Sequence, residues 1–491
     1  MDQRFLYLLS FATNALVLVL EITGGRLLAP YLGTSVGVWA GLIAVVLGSM
    51  ALGYHVGGKF ADTDASPRRI TSILLAASVT ALIAWSVRDL APTSITATHL
   101  EPTLHAVMIG AILFMPSVIL LAGVSPFLAK NLIKRLDTTA HVVGDLNAVG
   151  TAGAIVGAIV TGIYLIPYFS VDHILLGVAL ALFALTILTW RGLALPLVAI
   201  VILSTTLAWS LNAVPTRADG WRAEYSTAYN RIVITETDTT RAVWTSPFGI
   251  QCQMFVTDEG TVDPTRLVET YQRAHDILVA ALVPEGAHRA LFLGGCVAAF
   301  PRYLTTRYPS LDATVVELDP GMTKVAQELF DFDPTTVTMI HEDARVFVNN
   351  DHEPYDLVYV DAFGSSGRVP FHLVTEEMFA RLAAHVSSDG FLIMNTHGSY
   401  EGPGLLYPSV FVKTAETAFA HVALYQFTQD PLSPQNLVIL ASPSRELPEQ
   451  FTDPRYPDLT LTKVTTLDHV RILTDRYAPV EGLSREKLLD S

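Results

Sequence analysis

The sequence predicts a two-part protein: an N-terminal multi-span α-helical membrane domain of about seven helices, then an α/β domain on a parallel sheet preceded by a small antiparallel β subdomain. Three observations predict it. Long apolar runs dominate residues 1–212 and then cease. Those residues hold ten of the 31 Lys/Arg and nine of the 46 Asp/Glu, so the remainder carries a net charge of −16. From Arg289 onward, short apolar strands alternate with helical stretches, the pattern of a parallel sheet covered by helices on both faces.

A helix needs ~20 apolar residues to cross the hydrocarbon of a bilayer. Spans are expected near residues 5–29, 36–58, 70–90, 104–128, 142–166, 171–190 and 193–212. The last two are parted only by Arg191 and Gly192, but one helix of both would be about twice as long as the bilayer core is thick. Arg4, Lys59, Arg68, Arg69, Lys130, Lys134, Arg135 and Arg191 fall on one side of this arrangement, and Arg88 on the other, with Arg26 near a helix end and Arg217 and Arg222 just past the last span. Positive residues mark the cytoplasmic side, so an odd number of crossings puts the C-terminal domain outside the cytoplasm. Glu21, Arg26, His55, Asp145 and Asn147 lie within or near the spans. They read as internal pairs, such as Glu21 with Arg26, or as interfacial residues. The glycines at 150, 153, 157 and 162 read as close helix packing. The first apolar run is too long for the core of a cleavable signal.

Residues 213–262 are expected to form a link, beginning near Pro215, and the small β subdomain with strand-like runs at 231–234, 242–244 and 253–256. Residues 263–445 carry the parallel-sheet domain. A helix is expected at about 264–282, and strands at Ala290–Leu293, Ala313–Leu318, Thr336–Ile340, Leu357–Asp361 and Phe391–Asn395, with a late antiparallel strand at 438–440. Residues 446–491 read as a polar C-terminal tail. The acidic balance argues against a nucleic-acid partner, which needs a basic footprint. Two cysteines, Cys252 and Cys296, make neither a disulfide framework nor a zinc spacing, so no metal is expected and the redox compartment stays open. Cys296 reads as a small packing residue or a reactive thiol.

Chemistry is expected where predicted strands end. The first closes in Leu293-Gly294-Gly295, where small residues let a ligand approach the backbone. Twenty-two residues after Gly295, the second closes in Val316-Glu317-Leu318-Asp319, at the spacing of a carboxylate that accepts ribose hydroxyls. The third is followed by His341-Glu342-Asp343-Ala344, with an acidic side chain for an adenine amino group, and the fourth by Asp361-Ala362-Phe363-Gly364. Together these tips suit a nucleoside.

The run from Glu224 to about Leu440 resembles the spermidine synthase (polyamine aminopropyltransferase) family. The resemblance rests on Ser226-Thr227-Ala228-Tyr229-Asn230-Arg231-Ile232, Leu293-Gly294-Gly295, Val316-Glu317-Leu318-Asp319, Glu342-Asp343-Ala344, Tyr355-Asp356-Leu357-Val358-Tyr359-Val360-Asp361, and Pro370, Phe371, Leu373 and Thr375-Glu376-Glu377-Met378-Phe379. The first half resembles the membrane-fused bacterial members in Gly25-Arg26-Leu27-Leu28-Ala29-Pro30-Tyr31 and Gly57-Gly58-Lys59-Phe60-Ala61-Asp62. The resemblance implies a methyltransferase-type Rossmann-like fold. It also implies aminopropyl transfer from decarboxylated S-adenosylmethionine to an amine, with Asp361 as the catalytic base. It assigns Gly294, Gly295, Glu317, Asp319, Asp343 and Ala344 to the nucleoside cosubstrate, and Tyr229 and Tyr271 to the amine. The apolar runs make the lipid bilayer a partner and the resemblance adds the nucleoside cosubstrate, while a polyamine and a second copy of the chain are left open.

Two departures qualify this. Val297 stands where the family has an Asp that grips the aminopropyl tail, and Gly364 where it has a second acid after the base. The amine-side segment is reduced to Tyr271-Gln272-Arg273, whose Arg273 would repel a diamine if it faced the site. Two alternatives therefore stand beside aminopropyl transfer: an S-adenosylmethionine-dependent methyltransferase, and a non-catalytic cell-envelope module that kept the fold and lost the activity. The odd number of crossings favours the module, because an extracytoplasmic domain is at odds with a cytoplasmic cosubstrate.

Overall fold

The structure, a computed structural model, describes residues 2–33, 36–92, 102–135, 139–189, 220–247, 249–282, 289–351, 353–362, 369–428, 430–478 and 480. It divides into two compact units, Met1–Arg217 and Ala218–Ser491.

The first unit contains α1 (Gln3–Leu32), α2 (Val36–Thr63), α3 (Pro67–Val87), α4 (Pro102–Leu113), α5 (Met115–Leu132), α6 (Thr139–Val160) and α7 (Val171–Thr189). Six stretches among the described residues are long and apolar enough to cross a membrane. The expected single span at 104–128 is two helices, α4 and α5, that meet at Phe114. Pro116 lies in the first turn of α5, and its missing N–H favours a helix start there. The expected span at 193–212 lies outside the described residues.

Small residues set the helix spacing. A methyl group at Gly153 of α6 would lie 2.1 Å from the Phe11 carbonyl of α1, and one at Gly157 would lie 2.4 Å from that of Ala15. Likewise, Gly53 and Gly57 of α2 lie against the backbone of α5 at Ile119 and Gly123. Gly150, Gly153 and Gly157 thus serve close packing as expected. Gly162 does not, since nothing lies within 4 Å of the place its methyl group would take. Arg88, the loop cation expected on the opposite side from the other loop cations, is buried. It bonds the Trp85 carbonyl at 2.7 Å and pairs with Asp172, at the start of α7, and with Asp89. Asp145 pairs with His141 at 3.4 Å, while His55 and Asn147 are exposed.

The second unit opens with an antiparallel sheet in the order β1 (Trp221–Ser226), β2 (Arg231–Glu236), β3 (Thr240–Ser246), β4 (Gly249–Val256), β5 (Val262–Asp263). The sequence reading assigned β1 to the link. It is an edge strand whose alternate residues are exposed, so its polar Trp-Arg-Ala-Glu-Tyr-Ser pattern carries a weak apolar signal. The helix expected from residue 264 begins later, as α8 (Thr270–Leu282). Asp263 accepts hydrogen bonds from the Thr265 backbone and hydroxyl, which closes a turn over Pro264 and delays the helix.

The remaining elements are β6 (Arg289–Leu293), α9 (Ala299–Arg307), β7 (Asp312–Val316), α10 (Pro320–Leu329), β8 (Thr338–Ile340), α11 (Ala344–Asn350), β9 (Tyr355–Val360), α12 (Glu376–His385), β10 (Val386–Gly398), α13 (Leu406–Ala415), β11 (His421–Gln426), β12 (Gln435–Ser442), β13 (Gln450–Thr452) and β14 (Thr460–Val464). They build a nine-stranded sheet in the order β13-β14-β11-β12-β10-β9-β6-β7-β8. Neighbours from β10 to β8 are parallel, and β12 joins β10 antiparallel as the sequence suggested. The chain winds outward from β6 through β7 to β8, then returns to β9 on the other side of β6. The switch point therefore lies between β6 and β9, where such folds bind ligands.

Strand residues divide between two cores by parity. Ala290, Phe292, Leu357 and Tyr359 join the cluster that includes α8 and α9, whereas Leu291, Leu293, Val358 and Val360 join that of α11 to α13. The polar tail expected after residue 445 is largely part of this fold. Strands β13 and β14 extend the sheet, and between them Arg455 and Tyr456 reach the fully buried Asp276 of α8. Further on, Asp475 accepts from Arg345 at 2.7 Å and from Thr375 at 2.7 Å. Polar composition concealed this because the segment is held by charge and hydrogen bonds around few apolar anchors.

In detergent-solubilised full-length protein, Gly153→Val should lower the thermal unfolding midpoint of the first unit, because a branched side chain would drive α6 from α1. Gly162→Ala should leave it unchanged, and equal midpoints for the two variants would refute the packing argument.

Candidate functional site

The loop after β6 sits at the switch point, and local geometry dictates its residues. Gly294 has φ +94°, and a methyl group there would lie 2.3 Å from the Asp361 carbonyl oxygen. No side chain fits, and only glycine adopts that conformation cheaply. At Gly295 a methyl group would meet Val315 at 2.6 Å. The next turn places two non-glycine residues in the left-handed region, Cys296 at φ 46° and Ala298 at φ 56°. Such residues are held there only when the surroundings over-determine them.

Glu317, just past β7, supplies part of that determination. Its Oε2 accepts from the Gly295 and Cys296 amides, each at 3.0 Å, and its Oε1 from the Asp319 amide at 3.0 Å. A carboxylate has about four acceptor positions. Among the described residues one position, on Oε1, is left without a donor. Burial pushes this carboxyl up, and the three amides pull it back.

A disulfide adds a second restraint. Cys296 is bonded to Cys252 of β4, 44 residues away in sequence. This corrects the reading of Cys296 as a packing residue or free thiol. Two cysteines on separate elements reveal their pairing only once β4 and the loop are packed together. Closing a loop of this length stabilises by roughly 4 kcal/mol on the chain-entropy account.

Asp361 follows β9, and its amide extends the ladder to the Leu293 carbonyl at 2.9 Å. It shares the parity of Tyr359 and so faces the α8 side. Oδ1 accepts from Asn395 Nδ2 of β10 at 2.9 Å, and Oδ2 from the Tyr359 hydroxyl at 3.4 Å. The Tyr271 hydroxyl, from the first turn of α8, also bonds this carboxyl. Burial pushes Asp361 up, the three donors oppose it, and the charge of Glu269 pushes the same way as burial. Burial and Asp361 together drive the Tyr271 phenol well above its ordinary value, so it stays a proton donor.

The expected residues are thus brought together unequally. Gly294, Gly295, Glu317 and Asp361 share one connected corner, and Tyr271 joins it. Asp319 is buried, and three donors take its carboxylate: Oδ1 caps α10 at the Gly321 amide, and Oδ2 accepts from Thr227 at 2.6 Å and Asn230 at 2.9 Å. It anchors the β1–β2 turn, which carries the half-exposed Tyr229. Asp343 stands at the same sheet edge, after β8. Its Oδ1 caps α11 through the Arg345 and Val346 amides, and its Oδ2 lies 3.4 Å from His372. Ala344 is a buried first-turn residue of α11. Val297 is fully buried in the core, so its side chain meets no ligand. Arg273 bonds back onto Thr270 and the Val268 carbonyl. Gly364 lies outside the described residues.

Sequence reading missed Asn395, Tyr359, Glu269 and His275. The available signal was a polar residue interrupting an apolar strand run, as Asn395 does after Phe391-Leu392-Ile393-Met394.

No family model matches the chain. The polyamine aminopropyltransferase of Vibrio vulnificus is 29% identical over 210 residues, covering 40% of this chain and 69% of that protein. The N-terminal histidine N-methyltransferase of Emericella nidulans is 33% identical over 202 residues, covering 39% of this chain but only 34% of that protein. Among solved structures, a probable spermidine synthase from Corynebacterium glutamicum aligns with a TM-score of 0.40 at 19% identity, covering 48% of this chain and 82% of that one. The chain is therefore similar in sequence to spermidine synthase-like aminopropyltransferases and to a methyltransferase, two kinds of group transferase.

Replacing both cysteines with serine should lower the urea midpoint of the second unit by the equivalent of roughly 2–4 kcal/mol. An unchanged midpoint would mean that the bridge contributes nothing.

Proposed function

We propose that the second unit is a spermidine synthase-like aminopropyltransferase, anchored to a membrane by the first. The observation that carries the reading is the convergence of Glu317 and Asp361 on the 294–296 loop at the switch point of a parallel sheet. The cosubstrate is decarboxylated S-adenosylmethionine. Glu317 Oε1 takes a ribose hydroxyl, Gly294 and Gly295 let the nucleoside approach the backbone, and Asp343 Oδ2 meets the adenine amino group. The acceptor amine binds beside Asp361 and Tyr271. Its nitrogen forms a C–N bond to the methylene next to the sulfonium. The C–S bond breaks with its electron pair going to sulfur, and methylthioadenosine leaves. The proton lost by the amine passes to Asp361, whose raised pKa makes it a better base than an ordinary aspartate.

A second reading, methyl transfer from S-adenosylmethionine, is favoured by the burial of Val297, which leaves no carboxylate at that position for an aminopropyl ammonium. The similarity to a methyltransferase points the same way. For the side of the membrane, the Cys252–Cys296 bridge supports an oxidising, extracytoplasmic location, and the loop charges agree with it only together with the seventh crossing expected at 193–212. A C-terminal alkaline phosphatase fusion active in intact cells is the expected result, and an inactive one would reverse the topology.

Calorimetric titration of the full-length protein separates the readings. Binding of the decarboxylated cosubstrate alone is expected. Binding of S-adenosylmethionine alone would select methyl transfer, and binding of neither would leave a non-catalytic envelope module. Asp361→Asn should cut turnover by ~10²-fold or more while the nucleoside still binds. Because Asp361 works ionised and its pKa is raised, activity should fall on acidification, with a midpoint above the ordinary aspartate range. A pH–rate profile with no acid limb there would remove Asp361 as the base.

A further inference from the structure

Behind Asp361 lies a chain of polar groups that the transfer chemistry does not use. His275, on α8, is completely buried, and its Nδ1 lies 2.9 Å from the Tyr359 hydroxyl. That hydroxyl reaches Asp361 Oδ2. Aromatic rings enclose the pair. Phe300 lies 4.9 Å from the Tyr359 ring centre and 6.3 Å from that of His275, and Tyr271 lies 5.5 Å from the latter. His275 Nε2 is buried with no hydrogen-bond partner among the described residues.

A phenol has one proton to give. If it goes to the carboxylate, the stronger acceptor, the phenol oxygen is left to accept from His275. The imidazole must then carry its proton on Nδ1 and leave Nε2 bare, the less costly vacancy for a buried nitrogen. Burial pushes the His275 pKa down to about 3, so the ring stays neutral and this arrangement persists across the working pH range.

We propose that His275 and Tyr359 are positioning residues: the His275 Nδ1–H fixes the rotation of the Tyr359 hydroxyl so that its proton points at Asp361, aiming that carboxylate at the acceptor amine. The proposal deepens the transferase reading and rests on it for its catalytic meaning, but the hydrogen-bond chain can be tested without turnover. The groups facing Asp361 among the described residues are Glu269 just before α8, Tyr271 from its first turn, Tyr359 from β9 and Asn395 from β10. Of these, only Glu269 opposes ionisation, so each donor removed should make Asp361 easier to protonate.

The test is an infrared pH titration of full-length protein in detergent, with the Asp361 carboxyl band identified by its loss in Asp361→Asn. Tyr359→Phe should raise the titration midpoint by about one pH unit, the worth of one charge-assisted hydrogen bond. His275→Leu should raise it by less, in the same direction. His275→Asn, whose amide N–H can occupy the place of Nδ1–H, should restore the original midpoint. Thermal unfolding of each variant checks that the fold survives. An unmoved midpoint in Tyr359→Phe would overturn the proposal, as would a His275→Asn midpoint no closer to the original than that of His275→Leu. If the midpoints move as stated but no nucleoside binds, the positioning chain stands and the transferase reading falls.

Discussion

Everything at the switch point depends on how closely two backbones approach: the turn after β6 lies against the carbonyl of Asp361 with no room for a side chain at Gly294. That contact fixes where β9 ends relative to β6, and therefore where the Asp361 carboxyl emerges. It also directs the following residues toward β7, where Glu317 takes hold of two of their amides. Glu317 and Asp361 are thus positioned by one turn, and a shift of either strand end would be felt by both.

The turn is held from several directions because its own conformation is costly. Cys296 and Ala298 occupy left-handed backbone without being glycine. Glu317 restrains Cys296 by a hydrogen bond to its amide, the bridge to Cys252 restrains it covalently, and the burial of Val297 and Ala298 restrains the rest of the turn by packing. Similar over-determination recurs on α8. Its Asp276 is gripped by Tyr303, Tyr456 and Arg455, so the C-terminal strands hold in place the helix that also supplies Tyr271 and His275. All three bonds fall on one carboxylate oxygen, and the Arg455 guanidinium offsets the cost of burying it.

The site was legible in proportion to how locally its chemistry is encoded. Gly294, Gly295 and Glu317 mark strand ends through composition and spacing alone. Asp361 was visible because it closes an apolar run. Asp319 was visible too, but the donors that take its carboxylate could not be foreseen, since Thr227 and Asn230 come from a different sheet. Glu269 and His275 had no sequence signature, because their neighbours at Asp361 come from β9 and β10, many residues away. Among the described residues of the first unit, helix existence followed from apolar length, whereas the break at Phe114 required reading Pro116 as a helix start.

By itself the sequence determined the two-part organisation, the alternation of strand and helix, and the acidic and glycine-bearing tips. These depend on hydropathy, periodicity and residue type, which act over a few neighbouring positions. Only the tertiary structure decided that β1, β13 and β14 are strands, that the two cysteines meet, and that Asp361 is backed by a phenol and an imidazole. Edge strands, a covalent bridge and a buried hydrogen-bond chain arise from contacts between distant segments. Their energy appears only when packing brings those segments together and excludes water from between them.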